Sequence, residues 1–344
     1  MAESHVAILL VARTATLGKT VVSYNRRFNS RKHQMTIALI VHGGAGSWRP
    51  GSDADAINGT TAAVAAGRKI LEAGGSALDA ASASAVELED NPIFNAGTGS
   101  VLNFDGFVEM DACVMLSEAS QVGAVSAIQR VKNPILVARQ VMEQTDHVML
   151  AGDGAQRFAR VMGHADYDPI TAARNADWQE KKAKLEVAVG KGGKGAMKIR
   201  DFLMRHPEYA GGTIGAVALD SRGILCACTS TGGVTMKLVG RVGDTPLPGC
   251  GTYASKLAAS SATGTGEYVI RALACRQISD NVEKGMGLEA AIDAVLDGLG
   301  RDFDADVGFI GIDSNGNAIG AHRTPHMPHA WFSGSSEIVA KMRA

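Results

Sequence analysis

A threonine in the middle of the chain follows a pair of glycines and opens a run of small apolar residues. Thr213 comes after Gly211 and Gly212 and precedes Ile214. A threonine hydroxyl alone is a poor nucleophile, but cleavage of the preceding peptide bond would free an α-amine that can act as its base. Gly212 suits such a cut because a residue without a Cβ tolerates backbone conformations that expose its carbonyl. The ordinary alternative is a buried strand that begins after a glycine turn.

Other glycine-flanked polar segments lie on both sides of this threonine. They are His42-Gly43-Gly44-Ala45-Gly46 and Phe94-Asn95-Ala96-Gly97-Thr98-Gly99 upstream, and Thr229-Ser230-Thr231-Gly232-Gly233, Gly240-Arg241-Val242-Gly243-Asp244 and Thr263-Gly264-Thr265-Gly266-Glu267 downstream. In this order and at these spacings they closely resemble the plant-type asparaginases, also called isoaspartyl peptidases or β-aspartyl-peptidases, of the N-terminal-nucleophile (Ntn) hydrolase superfamily. The resemblance runs from about Met35 to the C-terminus. It implies an autoprocessing hydrolase that releases L-aspartate from β-aspartyl (isoaspartyl) dipeptides and from L-asparagine.

The resemblance assigns catalytic roles to three threonines and one glycine. Thr213 would be the nucleophile twice, first toward the Gly212 carbonyl in an N-to-O acyl shift and then toward the side-chain amide of the substrate. Thr231 would orient the Thr213 hydroxyl and amine; without the flanking motifs, a strand-end threonine bonded to nearby backbone is expected. Thr263 and the Gly264 amide would form the oxyanion hole. Their segment also fits a helix N-terminus, and the two interpretations are compatible because a helix N-terminus presents amide donors to anions.

Substrate binding is assigned by the same resemblance to Arg241, Asp244, Gly264, Gly266 and Asn95. The guanidinium of Arg241 and the carboxylate of Asp244 would hold the α-carboxylate and the α-ammonium of an aspartyl group. The alternative is a salt bridge between the two in a surface turn. Asn95 would also help in processing, and the alternative for this residue is stabilisation of a turn.

The resemblance implies a structural sodium ion and no cofactor that the reaction requires. The equivalent loop of the family holds sodium through main-chain carbonyls, which in this chain would be those of Leu88, Glu89, Asn91, Phe94, Ala96 and Thr98. Hard cations prefer oxygen ligands. Carbonyl ligation leaves little trace in a sequence, so the site depends on the resemblance alone.

Two alternative functions are considered. A glycosylasparaginase-like amidase would share the Gly-Arg-Val-Gly-Asp segment at 240–244, but the segment at 42–46 favours the asparaginases. An uncleaved, inactive binding homologue would require the catalytic threonines to be lost or misplaced, and all three are present. The resemblance further implies that fragments 1–212 and 213–344 form an α/β heterodimer and that two heterodimers pair.

The chain departs from the family pattern at two places. Met236 stands where many relatives carry asparagine, and the segment at 324–329 contains His326 and His329. Both departures are expected to alter substrate preference and not the class of activity. With His322 these histidines match no standard zinc spacing, so surface histidines are expected.

Composition excludes several classes of partner. The chain is 46% hydrophobic and 20% charged, contains 41 glycines and has a formal net charge of −1, which gives no electrostatic footprint for nucleic acid or an anionic membrane. No apolar run is long enough to span a bilayer. Five cysteines, an odd and sparse set, are typical of reduced core residues in a cytoplasmic protein.

The first 34 residues differ from the rest of the chain. Against the single acid Glu3 they carry the bases Arg13, Lys19, Arg26, Arg27, Arg31 and Lys32. A cleavable transit peptide, a mobile tail and an upstream start codon ahead of a natural start at Met35 are the alternatives, and the latter two are favoured.

The remaining residues predict one Ntn-hydrolase domain, 35–344, of the α+β class. A buried strand is expected at 37–41, helices at 53–73, 77–89, 134–142, 252–260, 266–283 and 287–299, and hairpins at 100–115, 213–229 and 306–321. A lysine-rich linker is expected at about 175–212. Two stacked sheets flanked by helices are the natural packing for strands buried on both faces, which gives a four-layer αββα sandwich.

Overall fold

Buried strands and alanine-rich helices alternate along the chain, and the computed structural model describes residues 36–190 and 212–343. Before residue 191 the strands are β1 (Ala38–His42), β2 (Met110–Leu116), β3 (Val122–Ile128) and β4 (Met149–Ala151). The helices there are α1 (Asp53–Glu72), α2 (Ala77–Asp90), α3 (Pro134–Gln144), α4 (Gly152–Val161) and α5 (Ala172–Gly190).

The part of the chain after residue 211 contributes the remaining strands and helices. The strands are β5 (Ile214–Leu219), β6 (Leu225–Thr231), β7 (Thr252–Ala254), β8 (Ala258–Gly264), β9 (Val307–Asp313), β10 (Ala318–His322), β11 (His329–Ser333) and β12 (Val339–Lys341). The helices are α6 (Gly266–Ala272), α7 (Ala274–Glu283) and α8 (Leu288–Phe303).

These strands form two sheets. The larger sheet has eight strands in the order β12-β11-β1-β5-β6-β2-β3-β4, and the smaller has four in the order β10-β9-β8-β7. Neighbouring strands are antiparallel except for β3 and β4, which are parallel. Strand β5, which follows Thr213 directly, therefore lies in the middle of the larger sheet between β1 and β6.

Three apolar clusters show that the sheets and helices form four layers. Helices α1, α2 and α3 pack on the outer face of the larger sheet, where Leu88 and Val137 share a cluster with Ile214. A second cluster lies between the sheets and includes residues from both, such as Val217 and Ile310. Helices α7 and α8 cover the other face of the smaller sheet through a third cluster. The predicted αββα sandwich is confirmed.

Two of the predicted helices were wrong. Residues 252–260 form β7 and the start of β8, because Thr252, Ser260 and Ser261 are fully buried in the smaller sheet, where strand pairing overrides local propensity. The predicted helix at 266–283 is two helices, since Leu273 adopts a left-handed conformation with a φ of 51° between α6 and α7. The hairpins at 213–229 and 306–321 are confirmed, whereas only the second arm of the one at 100–115 is a strand.

Helix α5 covers the beginning of the segment that was expected to be a loose linker. Two of its lysines pair with acids one turn earlier, Lys181 with Asp177 at 2.8 Å and Lys184 with Glu180 at 2.6 Å, so the charged sequence stabilises a helix. The helix is anchored by Trp178, which is buried and donates a hydrogen bond to the Asn103 carbonyl at 2.8 Å. The remainder of that segment up to residue 211, and the first 35 residues, lie outside the described part of the chain.

The cysteines are core residues, as predicted. All five are buried with free thiols, and the sulfurs of Cys226 and Cys228 lie 4.0 Å apart on one face of β6. Among residues 36–190 and 212–343, every helix is too short or too polar to cross a bilayer.

Candidate active site

Thr213 lies at the beginning of β5, beneath the glycine-rich turn that follows β1. Its side chain is buried, with 7% of the residue exposed. The main chain at Gly44 has a φ of +115°, and a Cβ there would lie 2.6 Å from the Gly212 Cα. Only glycine therefore fits at this point, where the turn after β1 covers the Gly212–Thr213 bond. The predicted cleavage site thus lies directly against the main chain of this turn.

The β5–β6 hairpin brings Thr231 to Thr213. The ladder pairs Ile214 with Ser230, and the Thr213 hydroxyl donates to the Thr231 hydroxyl at 3.1 Å. The Thr231 oxygen also accepts from the Gly233 amide at 2.9 Å. These two hydrogen bonds fix the position of Thr231, so the predicted orienting residue contacts the predicted nucleophile directly.

Thr263 approaches Thr213 from the end of β8 in the other sheet. Its hydroxyl oxygen accepts from the main-chain nitrogens of Ala45 at 3.0 Å and Thr213 at 3.4 Å. The second of these is the nitrogen that cleavage would convert to a free amine. Gly264 has a φ of +117°, and a Cβ there would overlap the Asp306 carbonyl oxygen, so this position requires glycine. Thr263 contacts Thr213, and Gly264 lines the same pocket as Thr213, so both predicted oxyanion residues lie near the nucleophile.

A narrow pocket connects the nucleophile to Arg241 and Asp244. It is lined by Thr213, Thr231, Gly233, Val234, Arg241, Gly243, Asp244, Thr245 and Gly264. Gly266 borders it, since a Cβ at this residue would lie 2.6 Å from Asp244 Oδ1 and 3.1 Å from Arg241 Nη2. Every predicted catalytic and substrate-binding residue except Thr263 and Asn95 therefore lines or borders one pocket, and Thr263 contacts the Thr213 nitrogen beside it.

The side chains of Arg241 and Asp244 do not pair with each other, in contrast to the surface salt bridge considered above. Arg241 donates through Nε and Nη2 to Glu267 at 2.9 to 3.0 Å. Asp244 is 5% exposed, and among the described residues its Oδ2 has no hydrogen-bond partner. Burial raises the pKa of Asp244 to about 7, against the opposing effect of Arg241. A buried carboxylate oxygen without a partner is suited to receive a cationic group from a ligand.

Asn95 connects the loop after α2 to the segment after Thr231. Its Nδ2 donates to the Gly233 carbonyl at 2.7 Å, and its Oδ1 accepts from the Val101 amide at 2.8 Å. Its main-chain carbonyl accepts from Gly232 at 2.9 Å. The structure thus shows the turn-stabilising contacts, which hold the main chain beside Thr231.

The carbonyls predicted to bind sodium lie in a loop that closes on itself, with the Thr98 amide bonded to the Glu89 carbonyl at 2.8 Å. The carbonyls of Leu88 and Asn91 accept from amides within the loop, and that of Phe94 accepts from Arg174 at 3.3 Å. Each carbonyl has a second lone pair, so the neutral oxygen donors fit a monovalent cation in chemical type. The Arg174 guanidinium already places a positive charge at one of them.

Two buried titratable groups near the site were not identified from sequence as functional residues. His42 Nε2 lies 3.1 Å from Ser261 Oγ, and burial lowers the pKa of His42 to about 3, so the imidazole is neutral. The Glu89 side chain accepts from Ser230, the neighbour of Thr231, at 2.6 Å, and burial raises its pKa to about 8. For His42, the glycine-rich motif at 42–46 could have indicated a role. Glu89 was considered only for its main-chain carbonyl, as a ligand of sodium. The ion-pair partner Glu267 was likewise assigned no role, although its segment was predicted to fit a helix N-terminus.

The departures from the family pattern have local structural consequences. Met236 is 2% exposed and has a φ of 61°, a left-handed conformation that asparagine adopts with less strain than methionine. The histidines of the C-terminal segment are not surface residues as expected, because His329 is 3% exposed and His322 and His326 are half-buried. His322 and His329 each place Nδ1 within 2.9 Å of a main-chain carbonyl.

Comparison with known proteins agrees with this geometry. The family model for asparaginase matches residues 35–340. The plant-type L-asparaginase of Pyrococcus abyssi is 48% identical over 298 residues, covering 86% of this chain and 96% of that protein. The isoaspartyl peptidase/L-asparaginase of Rattus norvegicus is 39% identical over 94% of this chain and 93% of its own, and the isoaspartyl peptidase of Escherichia coli K12 is 40% identical over 85% and 92%. The chain therefore belongs to the asparaginase family.

Proposed function

We propose that the protein is an autoprocessing threonine amidohydrolase that converts L-asparagine to L-aspartate and ammonia and removes L-aspartate from β-aspartyl dipeptides. The observation that carries this proposal is the pocket itself. It places the Thr213 hydroxyl, 3.1 Å from that of Thr231, in the same cavity as Arg241 and Asp244, whose buried Oδ2 has no hydrogen-bond partner among the described residues. Relatives named as asparaginases and isoaspartyl peptidases support the same reaction class.

Processing would use the hydroxyl of Thr213 against the peptide bond that precedes it. The oxygen attacks the Gly212 carbonyl, the C–N bond breaks, and the nitrogen takes a proton to become the free α-amine. Water then hydrolyses the Gly212–Thr213 ester, which leaves a carboxylate on Gly212 and restores the hydroxyl. Thr231 is placed to orient this hydroxyl, and Thr263 contacts the nitrogen that leaves.

Turnover would repeat this chemistry on the substrate. The freed amine accepts the hydroxyl proton while the Thr213 oxygen attacks the side-chain amide carbonyl. Thr263 and the Gly264 amide stabilise the oxyanion, ammonia or an amino acid leaves with a proton, and water hydrolyses the aspartyl ester. Arg241 would exchange Glu267 for the substrate α-carboxylate, and Asp244 would accept the α-ammonium.

The two alternative functions predict different chemistry. A glycosylasparaginase-like amidase would require a pocket that accepts a glycan on the amide nitrogen, and an inactive homologue would require displaced threonines. The contacts of Thr213 with Thr231 and Thr263 support an active enzyme.

We also propose that sodium binds the loop at 88–98 as a structural ion and that two cleaved heterodimers associate, both from the family resemblance. Equal melting temperatures in sodium and in a large organic cation at matched ionic strength would contradict the sodium site.

Intact mass and substrate assays test the main proposal. We expect fragments 1–212 and 213–344 from the wild type and a single uncleaved chain from Thr213→Ala. Loss of a charge-assisted contact costs about 1.5–3 kcal/mol, so Arg241→Ala should lower kcat/KM for asparagine at least roughly tenfold while cleavage continues, because processing involves no free carboxylate. Wild-type turnover by Arg241→Ala, or hydrolysis of N-acetylated and carboxyl-amidated analogues, would show that the pocket recognises another group.

A further inference from the structure

The turn that carries Arg241 has exposed apolar side chains at its tip. Leu238 is 61% exposed and Val239 is 49% exposed. The main chain has positive φ values at Met236 and Gly240, and the Arg241 amide bonds back to the Leu238 carbonyl at 3.0 Å. Apolar packing does not fix the tip of this turn. Its polar contacts must therefore determine where the guanidinium lies.

Two buried carboxylates at β2 bind the main chain on either side of Arg241. Glu109 is 3% exposed, and both of its carboxylate oxygens accept from the Gly240 amide at 3.1 Å. Asp111 is fully buried, and its Oδ2 accepts from the Gly243 amide at 3.3 Å. Glu109 precedes β2 and Asp111 is its second residue, and both carboxylates reach amides of the same turn. Arg241 lies between the two amides that they hold.

Further contacts fix these acids in turn. Asn103 donates to Glu109 at 3.0 Å, the Ala127 amide donates to Asp111 at 2.9 Å, and the ammonium of the buried Lys237 donates to the Glu109 carbonyl at 2.7 Å. Lys237 and Arg241 face Asp111 and oppose the rise in its pKa that burial causes, while burial lowers the pKa of Lys237. Hydrogen bonds therefore hold both acids in place beneath the turn.

We infer that Glu109 and Asp111 are positioning residues for the substrate carboxylate. By holding the main chain at Gly240 and Gly243, they fix the turn from which Arg241 reaches the pocket wall, where Glu267 binds its guanidinium before the substrate arrives. A pre-positioned group binds its ligand without the cost of ordering it, so their loss should weaken substrate binding. This inference rests on the proposed role of Arg241. Thr213 directly precedes β5, and the proposed cleavage after residue 212 does not use the turn.

The test compares kcat and KM for asparagine among Glu109→Gln, Asp111→Asn, Arg241→Ala and the wild type, with the exposed Glu118→Gln as the matched control. Glu109→Gln is the cleaner variant because Asp111 also lies opposite Thr231 in the β2–β6 ladder. We expect each positioning variant to raise KM about tenfold with kcat within about twofold, and to cleave at the wild-type rate. Inhibition by succinamate, which keeps the carboxylate, should weaken in parallel, and inhibition by 3-aminopropanamide, which lacks it, should not.

The outcomes separate this inference from the proposed function. Wild-type KM values in both positioning variants, together with a raised KM in Arg241→Ala, would overturn the inference and leave the carboxylate-binding role of Arg241 in place. A wild-type KM in Arg241→Ala would refute that role itself. Parallel losses of kcat and cleavage in Glu109→Gln would indicate general distortion of β2 and would also overturn the inference.

Discussion

Thr231 contacts the Thr213 hydroxyl, whereas Thr263 contacts the Thr213 nitrogen, so the contribution of Thr231 can be tested alone. Thr231 accepts from Thr213 and from the Gly233 amide, so removal of its oxygen leaves the nucleophile without an orienting contact. Thr231→Ala should therefore slow both cleavage and asparagine turnover, the latter by at least about a hundredfold. Time courses of fragment formation and of ammonia release measure the two rates.

The conservative variant at this position supplies the control. Thr231→Ser keeps the hydroxyl and should retain most of both activities, and neither variant should change the fold by circular dichroism. Wild-type rates in Thr231→Ala would remove Thr231 from the mechanism.

Asp244 gives the pocket a pH dependence near neutrality. Its carboxyl must be ionised to hold an ammonium, and burial raises its pKa to about 7. We expect kcat/KM for asparagine to fall as the pH decreases through about 7 in the free enzyme. Succinamate lacks the α-amine, so its binding should not show this dependence. A flat profile for asparagine between pH 6 and 8 would contradict the assignment.

The raised pKa of Asp244 favours substrate binding at higher pH but lowers the stability of the fold there. Between the unfolded pKa and the raised folded pKa of Asp244, the folded state binds more protons than the unfolded chain, so its stability decreases as the pH rises through this window. Asp244→Asn should remove this decrease in stability, because asparagine does not ionise. Melting temperatures of the variant and the wild type should thus diverge from about pH 5 to pH 8, with the variant more stable at the higher pH.

Sequence alone identified the polar residues that meet at the pocket but not the acids that support them. The glycine-flanked motifs gave Thr213, Thr231, Thr263, Arg241 and Asp244, and the structure brings all five together. The supporting acids were missed because their contacts span more than a hundred positions, such as the Gly240 amide bonded to a carboxylate 131 residues earlier. Spacing within a motif carries no information about such long-range pairs.

At the scale of elements, β5 fits beside β1 and beneath the second sheet only because Gly215 has no side chain. Gly215 pairs with His42 on β1, and a Cβ there would overlap both the imidazole and the Ser261 hydroxyl of the opposite sheet. Gly215→Ala should cost about 1–3 kcal/mol or more, lower the melting temperature by several degrees and reduce cleavage, since Thr213 lies two residues away. Thermal melting and fragment yield measure both effects.

A glycine in open space is the matched control for that substitution. A Cβ on Gly154 in α4 would meet no atom within 4 Å. Gly154→Ala should stabilise the protein by up to about 1 kcal/mol, because alanine is the better helix former. Equal melting temperatures for the two variants would show that the strand position is not sterically closed.

Element type was predictable where a pattern was long and self-consistent. Helices α1 and α2 began at the expected residues because alanine-rich runs carry apolar side chains at helical spacing. The β7–β8 hairpin was not predictable, since its buried Ser260 and Ser261 look like exposed helix positions until the second sheet is known. The break at Leu273 has no glycine or proline to mark it.

At the scale of the whole molecule, the two fragments expected from cleavage are interleaved. The order of the larger sheet places β5 and β6 of fragment 213–344 between β1 and β2 of fragment 1–212. On the other side of β1 lies β11, which also belongs to fragment 213–344. Main-chain ladders thus join the fragments along three strand boundaries. Cleavage of one peptide bond leaves all of these ladders intact.

We predict that the cleaved fragments remain one folded unit. Buried side chains of fragment 213–344 in clusters shared with the other fragment include Ile214, Val217, Leu219, Ile310, Ile312 and Phe332. At about 1.5–3 kcal/mol each, these and the smaller core residues outweigh the roughly 4–15 kcal/mol that association costs. Cleaved wild type should elute from a native sizing column at the volume of uncleaved Thr213→Ala and separate into fragments 1–212 and 213–344 only in denaturant. Separate native peaks would mean that the interleaved sheet does not survive cleavage.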